Sequence, residues 1–410
     1  MRLALPGSPH LGYCTNIHPG ESLADVHAAV TAHVPRVKAL LGTTGPFGVG
    51  LRLSARAARE LAAPGEIDRL RDALETRGLY VFTVNGFPHG VFHGAHVKER
   101  VYLPDWRNRE RIRYTDELAD ELAALLPDGV DGSISTVPVS FGADPADPGV
   151  ATRNLLAHAK HLFLLRERTG KIVELALEPE PGCLLETTEG AVRFFREHLF
   201  ARSAVADFSV DTGLSARDAE AFLRRHLGVC LDACHLAVEF EDARTSVAAF
   251  RAAGIRVGKI QVTVALGVDL RGDPAVDGPV LRALERFDDG VYLHQVVERG
   301  PEGMIRQVDL SEAIARVRAA GPRGPTEWRV HFHVPVFAER LGPFRSTRPF
   351  LLDLLDIVRA EPVSPHLEVE TYTFDVLPPE HREAEVDASI AREMRFTLDR
   401  LGVEGGRGES

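Results

Sequence analysis

Several apolar runs of this chain end in residue types that bind metal ions or carry protons. Glu178 closes I-V-E-L-A-L-E, and Pro179-Glu-Pro-Gly182 breaks the strand pattern straight after it. A carboxylate at the C-terminal end of a parallel barrel strand faces the barrel mouth, whereas a rim carboxylate in a turn is the plainer alternative. Glu180 competes with it two residues on. Asp232 closes V-C-L-D, and His235 follows in D-A-C-H. An acid at a strand end with an imidazole three residues later puts an oxygen and a nitrogen donor on one loop. That combination suits Zn2+, Mn2+ or a similar ion, while Asp232 as a helix N-cap is the competing structural reading. Cys230 and Cys234 flank this loop without a second thiol pair, so packing is expected of both.

His331 and His333 stand two apart in V-H-F-H-V-P, so strand alternation puts both imidazoles on one face. Facing inward they are ligands or acid–base groups; facing outward they pack under a helix. An H-x-H pair also marks metal hydrolases, but on a first strand and not near the end of the chain. Glu368 and Glu370 share a face in H-L-E-V-E-T-Y. Two buried like charges are costly unless a metal or another cation neutralises them. Glu370, nearer the strand end, is the site candidate. Asn16 and His18 in C-T-N-I-H-P-G-E, with Asn85, His89 and His93 in V-N-G-F-P-H-G-V-F-H-G, form a polar fringe suited to substrate contact. Gln261 in K-I-Q-V-T is a weak oxygen ligand or a hydroxyl-binding amide.

The elements that would position these residues follow from periodicity. Strand-like runs begin near Leu11, Phe47, Leu79, Gly132, Ile172, Gly228, Gly258, Trp328 and His366, with helical stretches between them. Ser22 and Ser54 read as helix caps, and Arg109–Leu126 and Ala151–Arg168 carry apolar residues near helical spacing. Strand then helix, repeated, predicts parallel strands with right-handed crossovers, and for one domain over 1–401 the expected form is a (β/α)8 TIM barrel. Nine runs exceed eight. A late insertion at about 268–325 holds a β-hairpin, V-Y-L-H-Q-V-V-E-R-G-P-E-G-M-I-R-Q-V, turning at Gly300–Gly303. The tail 402–410 is expected to be disordered.

Composition narrows the function. Among 410 residues, 48 Lys plus Arg against 59 Asp plus Glu give a net charge of −11, which argues against a phosphate-tracking nucleic-acid binder. No segment has the ~18 uninterrupted apolar residues of a membrane helix, and the opening residues do not read as a signal peptide. Four cysteines fit a reduced, cytoplasmic setting. There is no G-x-G-x-x-G after the first strand, no P-loop and no G-x-S-x-G, so dinucleotide, nucleotide and serine-hydrolase chemistry lack support.

Glu178, D-A-C-H at 232–235 and L-E-V-E-T-Y around Glu370 resemble, in order and rough spacing, the xylose-isomerase-like barrel superfamily of sugar isomerases and epimerases. L-G-Y-C-T-N-I-H-P-G-E, V-H-F-H-V-P and H-L-E-V-E-T-Y-T-F-D-V-L-P further resemble the EboE-type metabolite traffic proteins of the ebo gene cluster. The resemblance implies one divalent ion (Mn, Zn, Co or Mg) held by Glu178, Asp232, Glu370 and a seventh-strand ligand. Gln261 occupies that strand; His333 is favoured, because it completes a Glu/Asp/His/Glu set. It further implies Glu178 and Glu370 as proton carriers at a carbon beside a carbonyl, with His235 holding a hydroxyl. Asn16, His18, Asn85, His89, Gln261 and His331 would then line the substrate, a small polyhydroxylated or carbonyl metabolite. Other ebo-cluster proteins are the implied protein partners. A non-catalytic metabolite-binding protein on the same barrel is the alternative.

Overall fold

The computed structural model describes residues 1–93, 96–142, 148–320, 324–382 and 385–403. Its strands are β1 (His10–Tyr13), β2 (Phe47–Arg52), β3 (Leu79–Asn85), β4 (Gly132–Thr136), β5 (Val173–Leu177), β6 (Leu227–Asp232), β7 (Arg256–Val262), β8 (Leu266–Leu270), β9 (Val296–Gly300), β10 (Gly303–Gln307), β11 (Thr326–Val330), β12 (Arg340–Leu341), β13 (Phe344–Ser346) and β14 (His366–Val369). Eight of them form one parallel sheet in the order β1-β14-β7-β6-β5-β4-β3-β2. A parallel bridge between Cys14 and Gly50 brings its two ends together, so the sheet is a nearly closed TIM barrel with helices between the strands. Strands buried on both faces read as continuous apolar runs, and β2, β5 and β6 are buried along their whole length. All C-terminal strand ends of a parallel barrel lie on one rim.

Closure demands small residues where β1, β2 and β14 meet. A Cβ at Gly12 would stand 2.6 Å from the Gly48 carbonyl oxygen, and one at Gly50 would stand 1.5 Å from Glu368 Oε1. Glycine is needed at both because the backbone and a buried carboxylate already fill the space.

The chain leaves the barrel after β7. Only residues 263–265 separate it from β8, which opens a second, antiparallel sheet in the order β10-β9-β11-β8-β13-β12. The expected hairpin is β9–β10, with Gly300 opposite Gly303. The run at Trp328, expected as a barrel strand, is β11 and pairs with β8 and β9 instead. This resolves nine runs into eight barrel strands plus one. The extra sheet begins and ends outside 268–325, at Leu266 and Ser346, because the short apolar run A-L-G-V-D-L joins it directly to β7. One apolar core runs without a break from the barrel into this sheet, through Val268, Val296, Trp328 and Val330.

Helix starts follow the expected chemistry. Ser22 and Asp25 form a capping box, and Ser54 Oγ accepts from the Ala57 N–H at 3.0 Å. Ser54 also donates to the Glu21 carbonyl at 2.8 Å, so it ties the loop after β2 to the loop after β1. Ser54→Ala is expected to cost about 1–2 kcal/mol, read as a lower urea midpoint. The helices expected at 109–126 and 151–168 run Arg109–Leu125 and Gly149–Thr169. Gly402, in a left-handed conformation, closes the last helix, and the rest of the expected tail, from 404, lies outside the described residues. The four cysteines are free and buried. No helix among the described residues is long and apolar enough to cross a membrane.

Candidate metal centre

Strand ends carry most of the candidate residues to one rim. Asn16 lies in the turn after β1, Asn85 ends β3, Glu178 follows β5, Asp232 ends β6 and Glu370 follows β14. The two histidines arrive by another route. His331 and His333 follow β11, off the strand, where Phe332 N–H turns back to the Val330 carbonyl and Val334 N–H reaches the Val264 carbonyl. Strand alternation therefore does not explain their shared direction. The crossing of the insertion over the mouth of β7 does.

One carboxylate oxygen from each of Glu178, Asp232 and Glu370 lies within 4.8 Å of the other two, with all three residues buried. Asn16 and Asn85 both donate through Nδ2 to Glu370 Oε1, the latter at 2.7 Å. Asp232 Oδ1 caps the helix Ala233–Val238 by accepting from His235 N–H at 3.0 Å, and it also accepts from Thr263 Oγ1 at 2.7 Å. The capping reading and the site reading thus use different oxygens, because Asp232 Oδ2 has no partner. Glu178 Oε2 is likewise unpaired. Burial, then the charge of Glu370, pushes the Glu178 carboxyl well above its ordinary range; burial, then Glu368, does the same to Glu370. Three crowded carboxylates cannot all ionise in a dry pocket unless a cation joins them.

Hydrogen bonds set the tautomers of the three histidines. His235 Nδ1 faces the Pro179 carbonyl at 3.0 Å and His333 Nδ1 faces the Glu370 carbonyl at 2.6 Å. His331 Nδ1 faces Gln295 Oε1 at 2.7 Å, and the Gln295 amide is oriented by donation from its Nε2 to the Pro181 carbonyl. Each acceptor requires Nδ1–H, which leaves each Nε2 as a bare lone pair. Outer carbonyls that fix a ring in this way are typical partners of metal-binding histidines. His333 Nε2 has no protein partner and stands 3.9 Å from Asp232 Oδ2. Burial holds all three rings below the ordinary histidine range, in the neutral form that binds metals. The donors therefore fit a divalent ion: Glu178, Asp232 and Glu370 bring carboxylate oxygens together, and His333 stands beside Asp232 with a bare nitrogen.

Glu180 also faces the cavity. Its Oε1 accepts from Tyr102 at 2.6 Å and from Gln295 at 3.3 Å, its Oε2 is unpaired, and burial lifts its carboxyl to about 8 against these hydrogen bonds. Above the polar floor, Phe92, Tyr292 and Tyr372 close together at 5.1–5.3 Å between ring centres, each from a different loop. They roof a cavity of about 60 Å³ lined also by Asn16, Asn85, Glu178, Glu180, His235, His331, His333 and Glu370.

Four of the substrate-contact candidates, His18, His89, His93 and Gln261, do not line it. His18 stacks on His33 at 4.2 Å and meets the Tyr13 hydroxyl at 3.1 Å, and His89 packs edge-on against Tyr114 at 4.9 Å. Neither lines the cavity. His93 bonds the Asn16 carbonyl at 2.6 Å, so it holds the β1 loop. Gln261 is buried in the barrel beside Asp232 and Glu368 in register, with both side-chain polar atoms unpaired, and it too is absent from the cavity wall. The cation foreseen for the Glu368–Glu370 pair exists as Lys259, which forms a fully buried ion pair with Glu368. Tyr102, Tyr292, Gln295 and Tyr372 were invisible to spacing rules, because they come from loops and from the lead-in to β9.

No protein-family model matches the sequence, and no curated protein matches it. Among solved structures, the chain is similar to D-allulose 3-epimerase from Methylomonas sp., in complex with D-allulose (12% identity, TM-score 0.45, covering 98% of this chain and 100% of that one). It is also similar to a xylose isomerase domain protein from Planctomyces limnophilus (12% identity, TM-score 0.43, 97% and 99% covered). A third likeness is to the IolI protein with a bound zinc atom (12% identity, TM-score 0.42, 96% and 98% covered).

Proposed function

We propose that the chain is a metal-dependent isomerase or epimerase that moves a proton at a carbon beside a carbonyl of a small polyhydroxylated metabolite. The observation that carries this reading is the buried cluster of Glu178, Asp232 and Glu370, with Glu178 Oε2, Asp232 Oδ2 and the neighbouring His333 Nε2 left without partners. A divalent ion there would polarise two neighbouring substrate oxygens and favour the enediolate.

The chain's own residues do the rest. Asn16 and Asn85 donate to one oxygen of Glu370 and orient its carboxyl group at the cavity wall. Glu178, with Oε2 unpaired, is free to take or return the proton. His235, its Nδ1–H committed to Pro179, lines the cavity with its bare Nε2 beside His331. The aromatic rings shield the polar floor from bulk solvent, and the cavity, at about 60 Å³, has to widen toward the ~300 Å³ of ordinary ligand pockets to admit a sugar. The setting proposed for this activity is secondary-metabolite biosynthesis or traffic.

The test is solvent exchange. Protein loaded with Mn2+ or Co2+, incubated in D2O with a panel of aldoses, ketoses and keto-cyclitols, is expected to incorporate deuterium beside the carbonyl of at least one. Glu178→Gln is expected to lower that exchange by at least ~100-fold. Tight, saturable binding of such a ligand without exchange would overturn the reading in favour of a binding protein.

A further inference from the structure

His235 and His331 present a contradiction that hydrogen bonding alone leaves open. Their Nε2 atoms stand 3.1 Å apart, a hydrogen-bond distance. Yet each ring has its single proton on Nδ1, facing an oxygen that only accepts. Two lone pairs therefore confront each other in a fully buried place, and something positive belongs between them.

The spacing identifies what. Two nitrogens bound at 2.0–2.1 Å to one tetrahedral zinc lie roughly 3.3 Å apart. A third donor is present, since one ligating atom each from Glu180, His235 and His331 falls within 4.8 Å of the others. Glu180 keeps Oε2 without a partner, while Tyr102 and Gln295 hold its Oε1. Gln295 serves two of the three groups at once, because its oxygen orients His331 and its nitrogen orients Glu180. Pro179, which orients His235, lies between Glu178 and Glu180.

We propose that Glu180, His235 and His331 hold a second divalent cation beside the one assigned to Glu178, Asp232, His333 and Glu370. The proposal rests on that first assignment for the role of the pocket, and on its own three residues for the site. A neutral imidazole has one lone pair to give, so His235 serves this second cation and meets the substrate through it. The two donor sets differ in kind. Three carboxylates and one imidazole suit Mn2+, Mg2+ or Co2+, whereas two imidazoles and one carboxylate suit Zn2+. The second cation takes its third and fourth contacts from Glu180 and from the cavity, where a substrate oxygen binds.

Metal stoichiometry separates the possibilities. Chelator-treated full-length protein is dialysed against Zn2+ or Co2+, and bound metal is read by elemental mass spectrometry, with circular dichroism as a folding control. Wild type is expected to hold two equivalents of Zn2+; His331→Gln and Glu180→Gln are each expected to hold one. Glu370→Gln is expected to hold one as well, and to lose the other site. Wild type with a single equivalent, removed by Glu370→Gln and untouched by His331→Gln, would overturn the second site and leave the first. A single equivalent removed by His331→Gln and kept by Glu370→Gln would overturn the first assignment and leave the second. No bound metal in wild type would overturn both.

Discussion

Glu370→Gln is expected to lower metal affinity by at least ~100-fold at the four-donor site while making the metal-free chain more stable. Without a cation, Glu178, Asp232 and Glu370 crowd three carboxyl groups into one dry pocket, with Glu178 and Glu370 pushed well above the ordinary range by burial and by neighbouring carboxylates. At alkaline pH, where these groups are forced to ionise, removing one of the charges relieves that repulsion, for a gain of about 1–3 kcal/mol in the metal-free state. The Gln oxygen still accepts from Asn16 and Asn85, so the fold is preserved. In wild type, metal at 100 times its dissociation constant stabilises the fold by about 2.7 kcal/mol, and in the variant this increment disappears. Urea unfolding with and without Mn2+ reads both effects, which have opposite signs. The pH dependence follows from the same shifts. Binding needs both carboxyls ionised, so the metal-dependent increment is full at alkaline pH and is lost as pH falls through their raised values. Equal metal-dependent stabilisation in wild type and variant would remove Glu370 from the ligand set.

Lys259→Met is expected to destabilise the protein by about 3–5 kcal/mol. Lys259 and Glu368 are wholly buried inside the barrel as an ion pair, and Lys259 Nζ also reaches Ser135 Oγ at 3.2 Å. Burial opposes the charge on Lys259, but Glu368 more than offsets it and holds the ammonium above the usual lysine range. Taking away one partner leaves an unpaired charge in a medium that cannot solvate it. The double variant Lys259→Met, Glu368→Gln is expected to recover most of the loss, because neither charge then remains. A urea denaturation cycle over the four proteins gives the coupling between the two sites. A single variant as stable as wild type would mean that water reaches the barrel interior.

Much of this arrangement was legible in the sequence, for an identifiable reason. Apolar runs alternating with helical stretches dictate parallel strands, and a parallel barrel puts every strand's C-terminal end on one rim. Glu178, Asp232 and Glu370 could therefore be placed together from their positions at strand ends, far apart as they are in the chain. The β9–β10 hairpin was legible because Gly300 and Gly303 bracket a short turn between two apolar-periodic arms.

Other features depend on contacts between distant segments. Trp328 to Val334 has the apolar pattern of a barrel strand, yet the run belongs to two structures. Its first half pairs with β8 and β9, and its second half leaves the sheet to hang His331 and His333 over the mouth. No local pattern distinguishes a strand of one sheet from a strand of another, because alternation records burial and not the neighbour that causes it. His18 and His89 had the right residue type on the right loops, but Tyr13, His33 and Tyr114 claim them. The sequence by itself determined the barrel and the rim carboxylates, since backbone geometry and periodicity act locally. Only the tertiary structure decided which histidines turn bare nitrogens to the cavity, because Pro179, Gln295 and the Glu370 carbonyl fix their protons from elsewhere in the chain.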